Sequence, residues 1–311
     1  MTTMREKVSI IGAGNVGATT ALLVVQSGIA DVVLFDIVEG MPQGKALDLA
    51  EACPLWNSSS TIKGTNNYSD TVGSDIVVIT AGFPRKPGMS RNDLLHANAN
   101  VIKETCIEVA NASPNAIIIV VTNPIDVMAQ LAWKTTEFSC KRVMGMGGIL
   151  DASRLTAFLS WELNVSPEDV EALVFGGHGD DMVPLPRFTT VKGIPVTELL
   201  PKKKIELLIE RTRNGGAEIV SLLKSGSAYY APAASTFQMI KAVLLDEKRM
   251  LPCTAYLNGE YGVKDLYMGV PVILGKEGVE KVTEVKLTKE EKAQFRKSCA
   301  SVKKLIKRLL I

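Results

Sequence analysis

The segment from Val8 to Asp36 constrains the fold of this chain more than any other. Val8-Ser9-Ile10-Ile11 reads as a short buried strand, Gly12-Ala13-Gly14-Asn15-Val16-Gly17 as a tight turn, and Val16 to Ser27 as a helix that Gly28 is placed to stop. Val32-Val33-Leu34-Phe35 then gives a second apolar strand ending in Asp36, nineteen residues after Gly17. That order is what binding a dinucleotide requires. Gly12 permits the turn, Gly14 lets the backbone approach a pyrophosphate, and Gly17 allows the helix to pack closely on the strand. Asn15 and Val16 open the helix, where free backbone N–H groups and the positive end of the dipole favour phosphate. The Asp36 carboxylate can accept hydrogen bonds from ribose hydroxyls and would repel a 2′-phosphate, which favours NAD over NADP. A purely structural strand–turn–helix would need neither the acid nor its distance.

The strand–helix alternation continues. A loop over residues 37–45 feeds a helix through Ala46–Ala52, and a weaker strand is expected near Thr61–Gly64. Ser74 to Gly82 gives a buried strand, and a helix runs to about Ala112 after a segment carrying Arg85, Lys86 and Arg91. Ala116–Val121 is a fifth strand, ending at Thr122-Asn123-Pro124. Apolar runs without alternation mark strands covered on both faces. Strands alternating with helices imply a doubly wound parallel sheet with right-handed crossovers, whose ligands bind beyond the carboxyl ends of the strands. Gly12–Gly17, Asp36, the 81–91 segment and Thr122–Pro124 all fall at those ends.

The pattern changes after Arg142–Gly148. A helix from about Asp151 to Leu163 is followed by a strand over Val170–Phe175 leading into Gly176-Gly177-His178-Gly179-Asp180-Asp181. Helices near Ile205–Lys224 and Pro232–Leu245, hairpin material over Met250–Val285 and an amphipathic helix from Lys289 to Leu310 complete the chain. At ~150 residues per domain, 311 residues suggest two domains, drawn here as 1–147 and 148–311 and packed on one another without a tether. The formal charge of +2 is too small to argue for nucleic acid or a membrane surface, and no apolar run reaches the ~18 residues that span a bilayer. Five scattered cysteines show no metal-ligand spacing and read as reduced thiols in a cytosolic protein.

Two histidines are present. His96 lies in an apparent helix and reads as a packing or surface residue. His178 sits between glycines just past a strand, held on a tight, exposed turn as a catalytic base should be, or else it only caps a loop. Asp151 and Arg154 are helical neighbours at i and i+3 and project the same way. Asp151 could orient the imidazole of His178 and stabilise its cation. Arg154 offers a planar fork for a substrate carboxylate. The alternative is a helix-capping Asp and an ordinary surface ion pair.

Together these stretches, with Ala81-Gly82-Phe83-Pro84-Arg85-Lys86-Pro87-Gly88-Met89-Ser90-Arg91, Leu150-Asp151-Ala152-Ser153-Arg154, Gly177-His178-Gly179-Asp180 and Gly226-Ser227-Ala228-Tyr229-Tyr230, resemble the lactate/malate dehydrogenase family. The likeness covers essentially the whole chain and is strongest to the lactate dehydrogenase-like branch of malate dehydrogenases. It implies a Rossmann domain followed by an α+β substrate domain, with His178 as proton acceptor, Asp151 as its partner and Arg154 on the substrate carboxylate. It assigns Arg91 to the carbonyl oxygen, Asn123 to substrate and nicotinamide ribose, and a cis bond to Pro124. The NAD contacts it carries over are Gly12, Gly14, Asn15, Val16, Gly17, Asp36, Thr80, Ala81, Gly82, Asn98, Val121 and Asn123, with no metal. It also implies a homodimer or homotetramer.

Arg85 then separates malate from lactate. It stands where lactate dehydrogenases of the family usually carry an uncharged residue, and oxaloacetate has a second carboxylate that pyruvate lacks. A desolvated charge needs a partner. The expectation is reversible oxidation of (S)-malate to oxaloacetate with NAD. The alternatives are another 2-hydroxy acid, or an inactive NAD-binding structural or regulatory protein.

Overall fold

The computed structural model describes residues 5–83 and 91–309. Its first half alternates strand and helix: β1 (Lys7–Ile11), α1 (Asn15–Ser27), β2 (Asp31–Phe35), α2 (Met41–Ala52), β3 (Ile62–Thr65), β4 (Ile76–Ile79), α3 (Arg91–Ala112), β5 (Ile117–Val120), α4 (Ile125–Thr136) and β6 (Val143–Gly145). These strands pair in parallel in the order β3-β2-β1-β4-β5-β6. The chain moves outward from β1 to β3, then returns to the other side of β1 as β4. The crevice at that reversal is where such sheets take a ligand. Ile76, Val77, Val78 and Ile79 are all fully buried, which explains a run without alternation. Each such side chain contributes about 1.5–3 kcal/mol by leaving water.

Helix α1 ends as the sequence indicates: Gly28 takes the left-handed conformation at φ 72° and returns its N–H to the carbonyl of Val25. Helix α2 begins at Met41, five residues before the expected start at Ala46. The tolerated Pro42 in its first turn, and Gly44 inside it, hide that start in the sequence. Gly64 on β3 lets α2 sit so close, because a Cβ there would strike the Pro42 carbonyl.

The second half comprises α5 (Gly148–Leu163), β7 (Val170–Glu171), β8 (Val174–Gly176), β9 (Met182–Pro184), β10 (Thr190–Val191), β11 (Ile194–Pro195), α6 (Val196–Leu199), α7 (Lys202–Leu223), α8 (Tyr230–Leu244), β12 (Arg249–Asn258), β13 (Lys264–Gly275), β14 (Gly278–Val282) and α9 (Lys289–Leu309). The strand expected over Val170–Phe175 is two, β7 paired with β10 and β8 with β9. The segment Arg142–Gly148, expected only as a boundary, contains β6. Strand β12 lies antiparallel to β6 with Thr254 opposite Gly145, so one sheet of nine strands runs through both halves of the chain. A Cβ at Gly145 would stand 2.5 Å from Cγ2 of Ile125 and 3.0 Å from Cβ of Thr254, which is why the approach needs glycine. The main core likewise spans both halves, from Val8 on β1 to Ile306 on α9. Helix α9 buries Phe295, Ser298, Cys299, Val302 and Ile306, a three- and four-residue spacing that lays one face on that core. No helix among the described residues is long and apolar enough to cross a membrane.

Candidate active site

The glycine turn sits at the carboxyl end of β1. Gly12 has φ 111°, and a Cβ on it would lie 2.7 Å from both the Ala81 nitrogen and Oγ1 of Thr80. A Cβ on Gly17 would strike the Gly12 carbonyl. Gly14 differs from both: nothing lies within 4 Å of where its Cβ would be. It stands as N-cap of α1 with no side-chain cap and no acid in the first turn, so Asn15 and Val16 open a helix whose first N–H groups have no side-chain acceptor from the cap. A pyrophosphate fits there by both space and sign.

Asp36 lies at the rim of this turn, its Oδ2 accepting the Ala13 N–H at 2.7 Å and its Oδ1 the Val38 N–H at 3.0 Å. Its carboxylate therefore shapes the loop and still has lone pairs for ribose hydroxyls. Lys45, on α2, donates to the Ala13 carbonyl at 2.7 Å and closes the loop from the other side. Nothing in the local sequence marks that contact.

Across the reversal, the end of β4 is laced to the glycine turn on one side and to the end of β5 on the other. The Thr80 hydroxyl donates to the Gly12 carbonyl at 2.9 Å, and the Thr122 hydroxyl to the Ala81 carbonyl at 2.6 Å. Gly82 is held against Thr122, leaving no room for a side chain. Val121 is buried, whereas Asn123 is exposed and enters a cis bond to Pro124. Asn98 on α3 is 2% exposed. Its Oδ1 accepts the Phe83 N–H at 2.8 Å and its amide donates to the Asn123 carbonyl at 2.8 Å. Asn98 thus acts on the crevice by fixing two backbone segments.

On the facing side, His178 Nδ1 and Asp151 Oδ2 are 2.9 Å apart. Asp151 is 1% exposed and sits within α5, whose N-cap is Gly147, so it is no helix cap. Arg154 follows one turn on, its Nη1 3.8 Å from Asp151 Oδ1. Asp151 Oδ1 and Arg154 Nε are both buried without a hydrogen-bond partner among the described residues, and Nδ1 of His178 is the ring nitrogen that Asp151 engages. Burial pulls the His178 pKa down, but the charge of Asp151 and its hydrogen bond outweigh this and raise it above the ordinary value. Burial lowers the pKa of Arg154, with Asp151 opposing.

Helix α7 makes room for this guanidinium with two consecutive glycines. A Cβ on Gly215 would lie 3.0 Å from Cδ of Arg154, and one on Gly216 3.6 Å from Nη2. The turn carrying His178 is fixed from behind, as Ser298 on α9 accepts the Gly177 N–H at 2.8 Å and Asp126 on α4 accepts the His178 N–H at 3.0 Å. Neither partner was evident from the sequence. His96 is exposed on α3. Arg85 and the side chain of Arg91 lie outside the described residues. Among the described residues no cluster of His, Cys, Asp or Glu could hold a metal ion, and all five cysteines are free.

A phosphate cradle at the sheet reversal, facing a carboxylate-held imidazole with a guanidinium beside it, defines the class: a dinucleotide-binding fold equipped for proton transfer next to an anion. Comparison with known proteins is consistent with this. Residues 6–145 match the model for the lactate/malate dehydrogenase NAD binding domain, and residues 149–310 that for the lactate/malate dehydrogenase alpha/beta C-terminal domain. The chain belongs to the lactate/malate dehydrogenase family. It is 55% identical over 302 residues to a malate dehydrogenase of Heliobacterium modesticaldum, covering 97% of this chain and 98% of that one. Its fold matches the malate dehydrogenase of Salinibacter ruber at TM-score 0.94 and 48% identity, over 98% of this chain and 97% of the other. It matches the Cryptosporidium parvum lactate dehydrogenase complexed with lactic acid and nicotinamide adenine dinucleotide at TM-score 0.95 and 41% identity, over 98% of both chains. Backbone shape alone therefore does not separate the two substrates.

Proposed function

We propose that this chain catalyses the reversible oxidation of (S)-malate to oxaloacetate with NAD. The observation that carries the reading is the 2.9 Å contact of His178 Nδ1 with Asp151, with Arg154 beside it. The naming of similar chains at 53–55% identity as malate dehydrogenases supports it.

NAD, when bound, supplies the hydride acceptor. On this reading Gly12, Gly14, Asn15, Val16 and Gly17 hold its pyrophosphate, and Asp36 takes the ribose hydroxyls. Thr80, Ala81, Gly82, Val121 and Asn123 line the path to the nicotinamide, with Asn98 bracing Asn123. Arg154 pairs with the carboxylate next to the reacting carbon and Arg85 with the distal one. Fixing both ends orients that carbon, a source of much of the rate in such reactions. His178 Nε2 takes the C2 hydroxyl proton as malate is oxidised, and Asp151 stabilises the resulting imidazolium. Arg91 stabilises the oxygen on which charge develops in the reverse direction. The chain divides into an NAD-binding half, 1–147, and a catalytic half, 148–311. It works as a homodimer or homotetramer in the cytoplasm, where its free thiols stay reduced. Exposed apolar side chains such as Trp161, Leu222 and Tyr230 are available for burial on association.

Loss of NADH absorbance on addition of oxaloacetate tests the reading, with pyruvate and NADPH as comparisons. Faster turnover of pyruvate would favour a lactate enzyme, and NADH binding with no turnover of either acid would favour a non-catalytic role. Light scattering gives the assembly state.

A further inference from the structure

Asp126 is the second buried carboxylate near the imidazole, 4% exposed and at the start of α4, three positions after Asn123. It reaches out of its own half of the chain. Oδ2 accepts the peptide N–H of His178 at 3.0 Å, and Oδ1 accepts the hydroxyl of Thr254 on β12 at 2.8 Å. Burial pushes its pKa up to about 6, against the pull of its bonds to Thr254 and His178. Besides His178, the titratable groups facing it are Asp151 on α5 and Cys299 on α9. A carboxylate whose charge is disfavoured by burial is a poor device for stability. Position is a better account. Among the described residues three side chains hold the Gly177–His178 turn, and those of Ser298 and Asp151 come from the second half. Among these, the hold of Asp126 comes from the strand end that carries Asn123, itself braced by Asn98.

We propose that Asp126 is a positioning residue for the base. By gripping the His178 peptide N–H and the Thr254 hydroxyl from the start of α4, it sets the distance between the imidazole and the nicotinamide side of the crevice. The inference rests on reading His178 as the base, so the wild-type enzyme is assayed first. Wild type that turns over neither malate nor oxaloacetate defeats the functional reading before any variant is made.

The variants are Asp126→Asn, Asp126→Ala and Thr254→Val. Asparagine keeps an acceptor for the His178 N–H and can donate to the Thr254 oxygen, so kcat should stay within about threefold of wild type. Its pH profile should shift down, because the charge of Asp126 helps hold the imidazolium. Alanine should lower kcat about tenfold to a hundredfold, the usual result of misplacing a reacting group by up to ~1 Å. Thr254→Val should fall between the two, and NADH binding and the oxaloacetate KM should change by less than about twofold in all three. Folding is checked by circular dichroism. Folded Asp126→Ala with wild-type kcat and pH profile overturns the proposal. So does Asp126→Asn as slow as Asp126→Ala, since a retained grip would then achieve nothing. If alanine does not fold, Thr254→Val with unaltered kcat overturns it.

Discussion

At His178 two opposing effects meet, and their balance predicts a pH dependence. Burial favours the neutral ring, Asp151 favours the cation, and the cation gains, so the pKa lies above its ordinary 6.5. A raised pKa contributes stability that is complete below the ordinary value and is lost as pH rises through the shifted one. With His178 as the proposed base, oxaloacetate reduction needs the imidazolium and should fall over that same rise. Malate oxidation needs the neutral ring and should climb. Asp151→Asn should move both midpoints down. Profiles of kcat/KM in the two directions check this, and an unchanged midpoint in the variant would detach Asp151 from the base. Specificity belongs to this scale as well. Losing one partner of a buried ion pair costs about 3–5 kcal/mol. With Arg85 in its proposed role on the distal carboxylate, Arg85→Gln should lose roughly a hundredfold to a few thousandfold in oxaloacetate efficiency while pyruvate reduction rises. Arg154→Gln should damage both acids. Steady-state kinetics with the two acids decide it, and an undiminished oxaloacetate preference in Arg85→Gln would mean the second carboxylate is read elsewhere. His178, Asp151 and Arg154 were legible because local signals mark them: flanking glycines, and a helical spacing of three. Asp126 and Ser298 were not, because their partners lie 52 and 121 residues away.

At the scale of the element, the three glycines of the turn do different work, and substitution should separate them. Gly17→Ala places a methyl into the Gly12 carbonyl and must push α1 off β1, so the protein should melt earlier and bind NADH weakly. Gly14→Ala meets nothing within 4 Å at an ordinary φ of −64°. It should melt within about 0.5 kcal/mol of wild type without cofactor. NADH binding should nonetheless weaken at least about tenfold, since the methyl would occupy the pyrophosphate's space. Thermal melts with and without NADH read both, and tight NADH binding by Gly14→Ala would place the phosphates elsewhere. Element ends were the least legible part of the chain. The start of α2 is hidden by Pro42 and Gly44, and no periodicity within α2 records its contact with β3 through Gly64.

For the whole molecule, alternation of strands and helices was enough to give the parallel half of the sheet and its crevice. The seam was not legible. Strand β6 has three residues, too few for a period, and its neighbour β12 arrives from far along the chain. Because sheet and core cross that seam, the two halves should unfold together. Calorimetry should show one transition whose midpoint rises with NADH concentration. Two separated transitions, with only the earlier or the later one responding to NADH, would mean that the halves are independent.

The glycine pair on α7 carries a warning for anyone hardening this chain against heat. Replacing glycine by alanine inside a helix is a routine stabilising change, worth about 1 kcal/mol at an open position. Gly215 would pass such a filter, since it lies within a helix of 22 residues. The added methyl would land 3.0 Å from Cδ of Arg154 and displace the guanidinium by a few tenths of an ångström. Gly215→Ala should therefore trade affinity for durability, raising the oxaloacetate KM several-fold while NADH binding holds, a cost that a screen on melting temperature alone would never register.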